Sequence, residues 1–242
     1  ETSPENRAVL EQRWQKFAAI GAVDKLDKAE PYRLQLSLRF GTEGDTRRVT
    51  ALFWGNSQRQ LRLDVMAGVG TTVAKILEDG QHFLVYSPSE NKAYFYQGAT
   101  KPLLQVGVPV PFNLVHLADL LNGRYASVFG KQFENTAFTA DGKAVYDLQG
   151  QPGGRVTLNE QGLPVEWQEQ ANGKGWSMEI LYSDDPTPLP RRLNLAHSNG
   201  KRAIVLIKER EKVTQPFTKE QMALPLPDDA PLLPLAKFKQ QQ

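Results

Sequence analysis

The chain predicts a mainly β fold, a strongly curved antiparallel sheet with an N-terminal helix and one helical plug. Three observations predict it. Short segments of alternating apolar and polar residues run from Tyr32 to Tyr96, and a second set runs from Ala137 to Lys208. Turn residues divide both sets at short intervals, so sequential strands pair as a meander. A compact helix with a broad apolar stripe, Leu114–Leu121, stands between the sets. About twelve or thirteen strands exceed what one flat open sheet carries, so the sheet has to curve strongly or close.

The first element is helical. Ser3 supplies a capping hydroxyl, Pro4 sits at the first helical position, and Glu5 meets the positive end of the dipole. Leu10, Trp14 and Phe17 follow on one face, and Gly21 is the expected stop. This face either docks on the core, the expected outcome, or presents itself to a partner. In the next segment Tyr32, Leu34, Leu36, Leu38 and Phe40 share one side while Arg33, Gln35, Ser37 and Arg39 share the other, as in a half-buried antiparallel strand. Gly41–Asp45 turns the chain into the pair Arg48–Trp54 and Gln60–Val65, joined at Gly55-Asn56-Ser57. Thr71–Leu77, His82–Ser87 and Lys92–Gln97 extend the ladder through turns at Asp79-Gly80 and Pro88-Ser89-Glu90-Asn91.

Pro109–Asn113 leads into the apolar helix, which Asn113 caps and Gly123 ends. The second ladder comprises Ala137–Ala140, Ala144–Leu148, Arg155–Leu158, Val165–Gln170, Trp176–Leu181, Arg191–His197 and Ala203–Lys208. Its turns are Asp141-Gly142, Pro152-Gly153-Gly154, Asn172-Gly173 and Asn199-Gly200. Residues 1–214 are expected to form a single domain. The Pro-rich extension 215–242 reads as an extended arm or a disordered tail, because its prolines cannot enter a helix or a central strand.

Composition removes several classes of chemistry. The chain has 242 residues and a formal net charge of +2, so no broad basic field points to nucleic acid. Cys is absent, which excludes disulfides, thiolate zinc sites and Cys nucleophiles, and suits a reducing cytosol or a Gram-negative periplasm equally. His82, His116 and His197 lie in separate elements without a ligand-type partner at helical spacing, so no metal site is expected. Gly68-Val69-Gly70 lies between two strands rather than ahead of a helix, which fails the context of a phosphate loop. Asp184-Asp185 and Asp228-Asp229 are flanked by Pro and read as solvated loop charge. No cofactor is expected, and a hydrolase with residues dispersed over several strands is the minor enzymatic alternative.

A strongly curved sheet has a concave face that side chains do not always fill, and the remaining volume is a ligand cavity. Apolar walls select acyl chains, whose transfer from water is worth ~0.8 kcal/mol per methylene. The competing outcome is that Leu114–Leu121 fills the concavity as core. Met66-Ala-Gly-Val-Gly70 is a second clue, since a hairpin tip normally carries polar turn residues. Val69 either protrudes towards a bilayer surface or partner groove or folds back on the protein.

An ordered series of segments resembles the LolB family of outer-membrane lipoprotein receptors, within the LolA/LolB lipoprotein-localisation superfamily. It consists of Ala51-Leu-Phe-Trp54, Leu61-Arg-Leu63, Gly68-Val-Gly70, Gly107-Val-Pro-Val-Pro111 and Leu117–Gly123. Gly162-Leu-Pro164, Trp176–Tyr182, Pro190–Leu193 and Ile204–Ile207 follow in the same order. The resemblance spans roughly Leu10 to Arg210. It implies an unclosed antiparallel half-barrel with a helical lid, and non-enzymatic transfer of lipoprotein acyl chains from a periplasmic LolA-like carrier to the inner leaflet of the outer membrane. It also implies a monomer facing the periplasm, anchored by a lipidated Cys preceding Glu1. In that family the corresponding loop presents a leucine needed for membrane delivery; here its Pro-Leu-Gly is Gly68-Val69-Gly70.

The expected cavity lining is Phe53, Trp54, Leu61, Leu63, Phe83, Val85, Phe95, Leu114, Leu117 and Leu121, and the expected delivery loop is Gly68, Val69 and Gly70. Phe53 and Trp54 are adjacent in a strand, so one of them faces in and the other out. The alternative function is an envelope interaction module without a lipid ligand that docks a protein partner through sheet edges or the tail.

Overall fold

A computed structural model describes residues 3–20, 30–56, 59–97, 103, 110–150, 152–184 and 189–237. Among them the chain runs as helix α1 (Pro4–Ala19), then strands β1 (Pro31–Thr42), β2 (Asp45–Asn56), β3 (Arg59–Ala67), β4 (Thr71–Glu78), β5 (His82–Ser87) and β6 (Lys92–Gln97). Helices α2 (Leu114–Leu121) and α3 (Tyr125–Phe129) precede β7 (Phe133–Phe138), β8 (Ala144–Leu148), β9 (Arg155–Leu158), β10 (Pro164–Gln168), β11 (Trp176–Tyr182), β12 (Pro190–His197) and β13 (Arg202–Glu211). Helix α4 (Lys219–Met222), β14 (Leu232–Pro234) and a 3-10 turn (Leu235–Lys237) complete the described chain.

The expected fold class is the one found: mainly β, one sheet of fourteen strands that is not closed into a barrel, and an N-terminal helix. The strand order is β14-β6-β5-β4-β3-β2-β1-β13-β12-β11-β10-β9-β8-β7. Strands β1–β6 and β7–β12 are antiparallel meanders, whereas β14 joins β6 in parallel. The chain divides into two compact units, one of Glu1–Lys25 and Asp119–Arg202, the other of Leu26–Ala118 and Ala203–Gln242.

In the first unit the Ser3 hydroxyl accepts the Asn6 N–H and starts α1 as its sequence predicts. Leu10, Trp14 and Phe17 are buried, so the helix is docked and its apolar face is not available to a partner. The Trp14 ring lies 4.7 Å from Phe17, 4.9 Å from Phe133 and 5.0 Å from Tyr146. Tyr146 Oη donates to the Leu10 carbonyl at 2.7 Å, and Trp14 Nε1 donates to the Lys131 carbonyl at 3.3 Å. Gly162, at φ +81°, lets the β9–β10 turn approach the helix backbone; a Cβ there would lie 2.8 Å from the Phe17 nitrogen.

Two parts differ from expectation. β7 spans Phe133–Phe138 rather than Ala137–Ala140, because the tight turn held by Thr139 N–H to Lys143 O begins earlier. As an edge strand, β7 has no buried residue and carries little alternation. Helix α3 is unannounced in sequence: Arg124 precedes it without a side-chain cap, and its five residues are too few for a periodic stripe. Part of the Pro-rich extension belongs to the second unit, with Met222, Leu224 and Leu235 buried and β14 paired to β6. The expected stop at Gly21, Ser57 of the β2–β3 turn, residues 107–109 and Asp185 lie outside the described residues.

The Gly162 contact is testable. Gly162→Ala should lower stability by about 2–4 kcal/mol in urea unfolding, from left-handed strain plus the clash with α1. Gly142→Ala, at φ +79° with nothing within 4 Å of the added Cβ, should show only the strain, about 1–2 kcal/mol. Equal losses would remove the close approach as a cause.

Candidate functional site

The second unit carries the candidate site on one face of β1–β6. Its register lines up buried side chains in rows across the strands. Leu34, Phe53, Leu63, Ile76, Val85 and Tyr94 are successive direct partners, and all are buried. Beside this row runs a second, Tyr32, Gly55, Leu61, Glu78, Phe83 and Tyr96. A third comprises Leu36, Ala51, Val65 and Ala74. Direct cross-strand neighbours lie about 4.5–5.5 Å apart, so each row is a continuous strip of contact. Gly55 is the gap in the second row: a Cβ there would lie 2.8 Å from Leu61 Cδ2 and Tyr32 Oη.

This arrangement places most of the expected lining together. Phe53, Leu61, Leu63, Phe83 and Val85 are buried on the common face. Leu114 and Leu117, in the same unit, are 0% and 2% exposed, and Leu121, in the part of α2 that belongs to the other unit, is also buried. Two residues are corrections. Of the adjacent aromatics in β2, Phe53 faces in and Trp54 faces out. Phe95 is 41% exposed because its partner is Leu84; Tyr94, opposite Val85, takes the inward position. A shift of one residue exchanges the faces of a strand.

The opposite face of the sheet forms its own row, Arg33, Trp54, Arg62, Leu77, Leu84 and Phe95. Part of it lies under the C-terminal extension. The Arg62 guanidinium sits over the Trp54 ring at 4.9 Å, donates to Asp64 Oδ1 at 2.9 Å, and donates to the Ala223 carbonyl. Trp54 Nε1 donates to the Gln221 carbonyl, and Asn56 bonds both the N–H and the carbonyl of Phe217. The tail therefore supplies main-chain acceptors to a face whose polarity would otherwise meet water.

Helix α2 starts over a carboxylate at the end of β4. β4 runs one residue beyond its expected end, so Glu78 lies between Leu61 and Phe83. Its Oε2 accepts the Leu114 N–H at 3.1 Å, while Asn113 Oδ1 accepts the His116 N–H at 2.8 Å, so the first turn of α2 is capped twice. Burial pushes the Glu78 carboxyl up to about 7; the Leu114 hydrogen bond opposes this and the neighbouring Asp79 adds to it. Beyond Ala118, Asp119 receives the Arg124 guanidinium at 2.6 Å within the first unit.

The β3–β4 hairpin tip is the remaining expected site. Gly68 and Gly70 adopt φ +57° and +82°, conformations a β-branched residue resists, and Val69 between them is fully exposed. Val69 thus protrudes. The histidines are scattered: His82 pairs with Asp79 at 3.1 Å, and His197 packs edge-on against Trp176. Among the described residues no group of three or more His, Asp or Glu could hold a metal ion. No helix among them is long and apolar enough to cross a membrane.

No protein-family model matches the chain, and no curated protein sequence matches it. Solved structures do. The chain is similar to a LolA superfamily protein of Nitrosomonas europaea, with a TM-score of 0.55 at 12% identity, over 88% of this chain and 97% of that one. It is similar to a putative outer membrane lipoprotein-sorting protein domain of Vibrio parahaemolyticus, with a TM-score of 0.52 at 6% identity, over 89% and 94%. A DUF1329 family protein of Desulfovibrio piger gives 0.53 at 7% identity, over 84% and 91%. At these identities the likeness is one of fold, and it is the LolA/LolB-like fold that the ordered sequence segments resemble.

Glu78 makes the site sensitive to pH with a definite sign. Its folded-state pKa lies above the ordinary 4.5, at about 7, so the native state holds this proton more tightly than the unfolded chain does. Stability relative to a Glu78→Gln variant, which keeps an oxygen for the Leu114 N–H, should fall as pH rises from about 4.5 to 7 and then level off. The change should approach ~3 kcal/mol, at about 1.4 kcal/mol per unit. Urea unfolding of both proteins between pH 4 and 8 measures it, and a pH-independent difference would contradict the burial of this charge.

Proposed function

We propose that this LolA/LolB-like fold binds the acyl chains of lipoproteins or related lipids and passes them to a membrane without covalent chemistry. The observation that carries the reading is the fully exposed Val69 on the β3–β4 tip, whose two strands also carry Leu61, Leu63 and Ile76 on the buried apolar face. One hairpin thus joins an apolar surface for an acyl chain to an apolar point of contact with a bilayer. Phe53, Leu61, Leu63, Phe83, Val85, Leu114 and Leu117 line the acyl site; Gly68, Val69 and Gly70 form the delivery loop. The shared fold of the Vibrio parahaemolyticus domain, named for outer membrane lipoprotein sorting, supports the lipoprotein part of this reading. In this reading a LolA-like periplasmic carrier is the donor and the inner leaflet of the outer membrane the acceptor.

Leu114 and Leu117 are buried, so in this reading ligand entry has to open the packing around the first turn of α2. The same closed packing favours a second reading, a ligand-free interaction module whose apolar face is only a core. Extraction of the purified protein followed by mass spectrometry, together with uptake of a fluorescent acyl probe, separates the two; neither bound lipid nor uptake would leave the interaction module. For the loop, Val69→Glu should abolish transfer of a bound lipoprotein to liposomes while leaving acyl-probe affinity unchanged, because a charged tip resists entry into the bilayer interface. Unchanged transfer would remove Val69 from the mechanism.

A further inference from the structure

Among the described residues the largely buried carboxylate of Glu78 has no counter-ion. Only two acidic residues are buried among the described residues, Glu78 at 9% exposure and Asp119 at 1%. Asp119 is paired with Arg124 at 2.6 Å. Glu78 receives the Leu114 N–H on Oε2, and among the described residues Oε1 accepts no hydrogen bond and no Lys, Arg or His pairs with the group. Capping α2 does not require the charge, since Asn113 already accepts the His116 N–H and a neutral amide at position 78 would accept that of Leu114. A carboxylate between Leu61 and Phe83 that holds one N–H and no cation is costly to ionise, yet Oε1 is not among the fully enclosed polar atoms and can be reached from outside. The expense disappears when a cation is brought to it.

We propose that Glu78 is a head-group site, its free oxygen pairing with the ammonium group of an acyl-bearing molecule whose chain lies along the apolar rows. The inference rests on the acyl-binding reading and names the head group that the site selects. A charge-assisted N–H to carboxylate bond is about twice as strong as a neutral one, and the apolar surroundings sharpen it. The burial that raises the carboxyl to about 7 also means that an arriving cation restores the charged form. The ammonium could belong to an aminophospholipid or to a Lys beside an acylated residue of a polypeptide.

Titration calorimetry of the full chain near pH 8, with dodecylamine, dodecanoate and dodecanol below their aggregation thresholds, tests this. Dodecylamine should bind about tenfold more tightly than dodecanol, with dodecanoate weakest. Glu78→Gln should erase the preference, so that amine and alcohol bind the variant equally, and binding of the alcohol also reports that the variant is folded. If the variant does not fold, the ranking of the three probes on the natural chain decides by itself. Should none of the probes bind, the acyl-binding reading falls and this one with it. If the alcohol binds and the amine binds no more tightly, only the head-group inference falls. Displacement of bound dodecylamine by lysophosphatidylethanolamine but not lysophosphatidylglycerol assigns the ammonium to a lipid. Displacement by a palmitoylated Lys peptide but not its Nζ-acetylated form assigns it to a protein, and displacement by neither overturns the proposal.

Discussion

The register of β1–β6 is the constraint on which the second unit depends. Leu34, Phe53, Leu63, Ile76, Val85 and Tyr94 share a row because each is opposite the next, and the two rows beside it follow from the same alignment. Shifting one strand by a residue would turn Trp54, Arg62 or Asp64 towards the apolar side. The penalty is large. Each buried aliphatic or aromatic side chain contributes up to about 1.5–3 kcal/mol, and an inward-facing guanidinium would be left without the acceptors it now has.

The other face shows how that arrangement is completed. Arg62 is nearly buried yet sits on the polar side, and its guanidinium is held by Asp64, by the Trp54 ring and by the carbonyl of Ala223. The last of these comes from the C-terminal extension. Pro225, Pro227, Pro231 and Pro234 prevent that segment from forming a helix or central strand, yet its carbonyls remain available, and an extended chain across the sheet uses them. β14 then lies beside β6, where it covers main-chain groups that an edge strand would leave open.

Glu78 departs from this otherwise consistent pattern. It occupies an apolar row, accepts from the first N–H of α2, and carries a charge that its surroundings disfavour. Natural chains tolerate such a conflict between local environment and residue type where function uses it. A carboxylate that fastens a helix to the face proposed for acyl chains joins the closed packing of that helix to the chemistry of the site.

Much of this was legible in the chain. The unbroken alternation of Tyr32–Phe40 assigned its faces correctly, and Ser3-Pro4-Glu5 with Leu10, Trp14 and Phe17 marked a docked helix. His82–Ser87, Lys92–Gln97, Ala144–Leu148 and Leu114–Leu121 have the bounds their turn residues and stripe predict. Where alternation failed, facing could not be read. Phe53-Trp54 and Tyr94-Phe95-Tyr96 are apolar in succession, so only pairing with Leu63 and Val85 chose Phe53 and Tyr94 for the interior. Glu78 stands between the expected strand end at Leu77 and the Asp79-Gly80 turn, so its polarity hides that its spacing from Ala74 and Ile76 continues the inward set. The α3 helix and the course of the tail had no local signature. Periodicity and turn chemistry are properties of neighbours along the chain, and they sufficed for the elements and most of their faces. The partner of a particular side chain is a different matter: Glu78 meets Leu114 from 36 positions away and Arg62 meets Ala223 from 161, distances that only the folded chain closes.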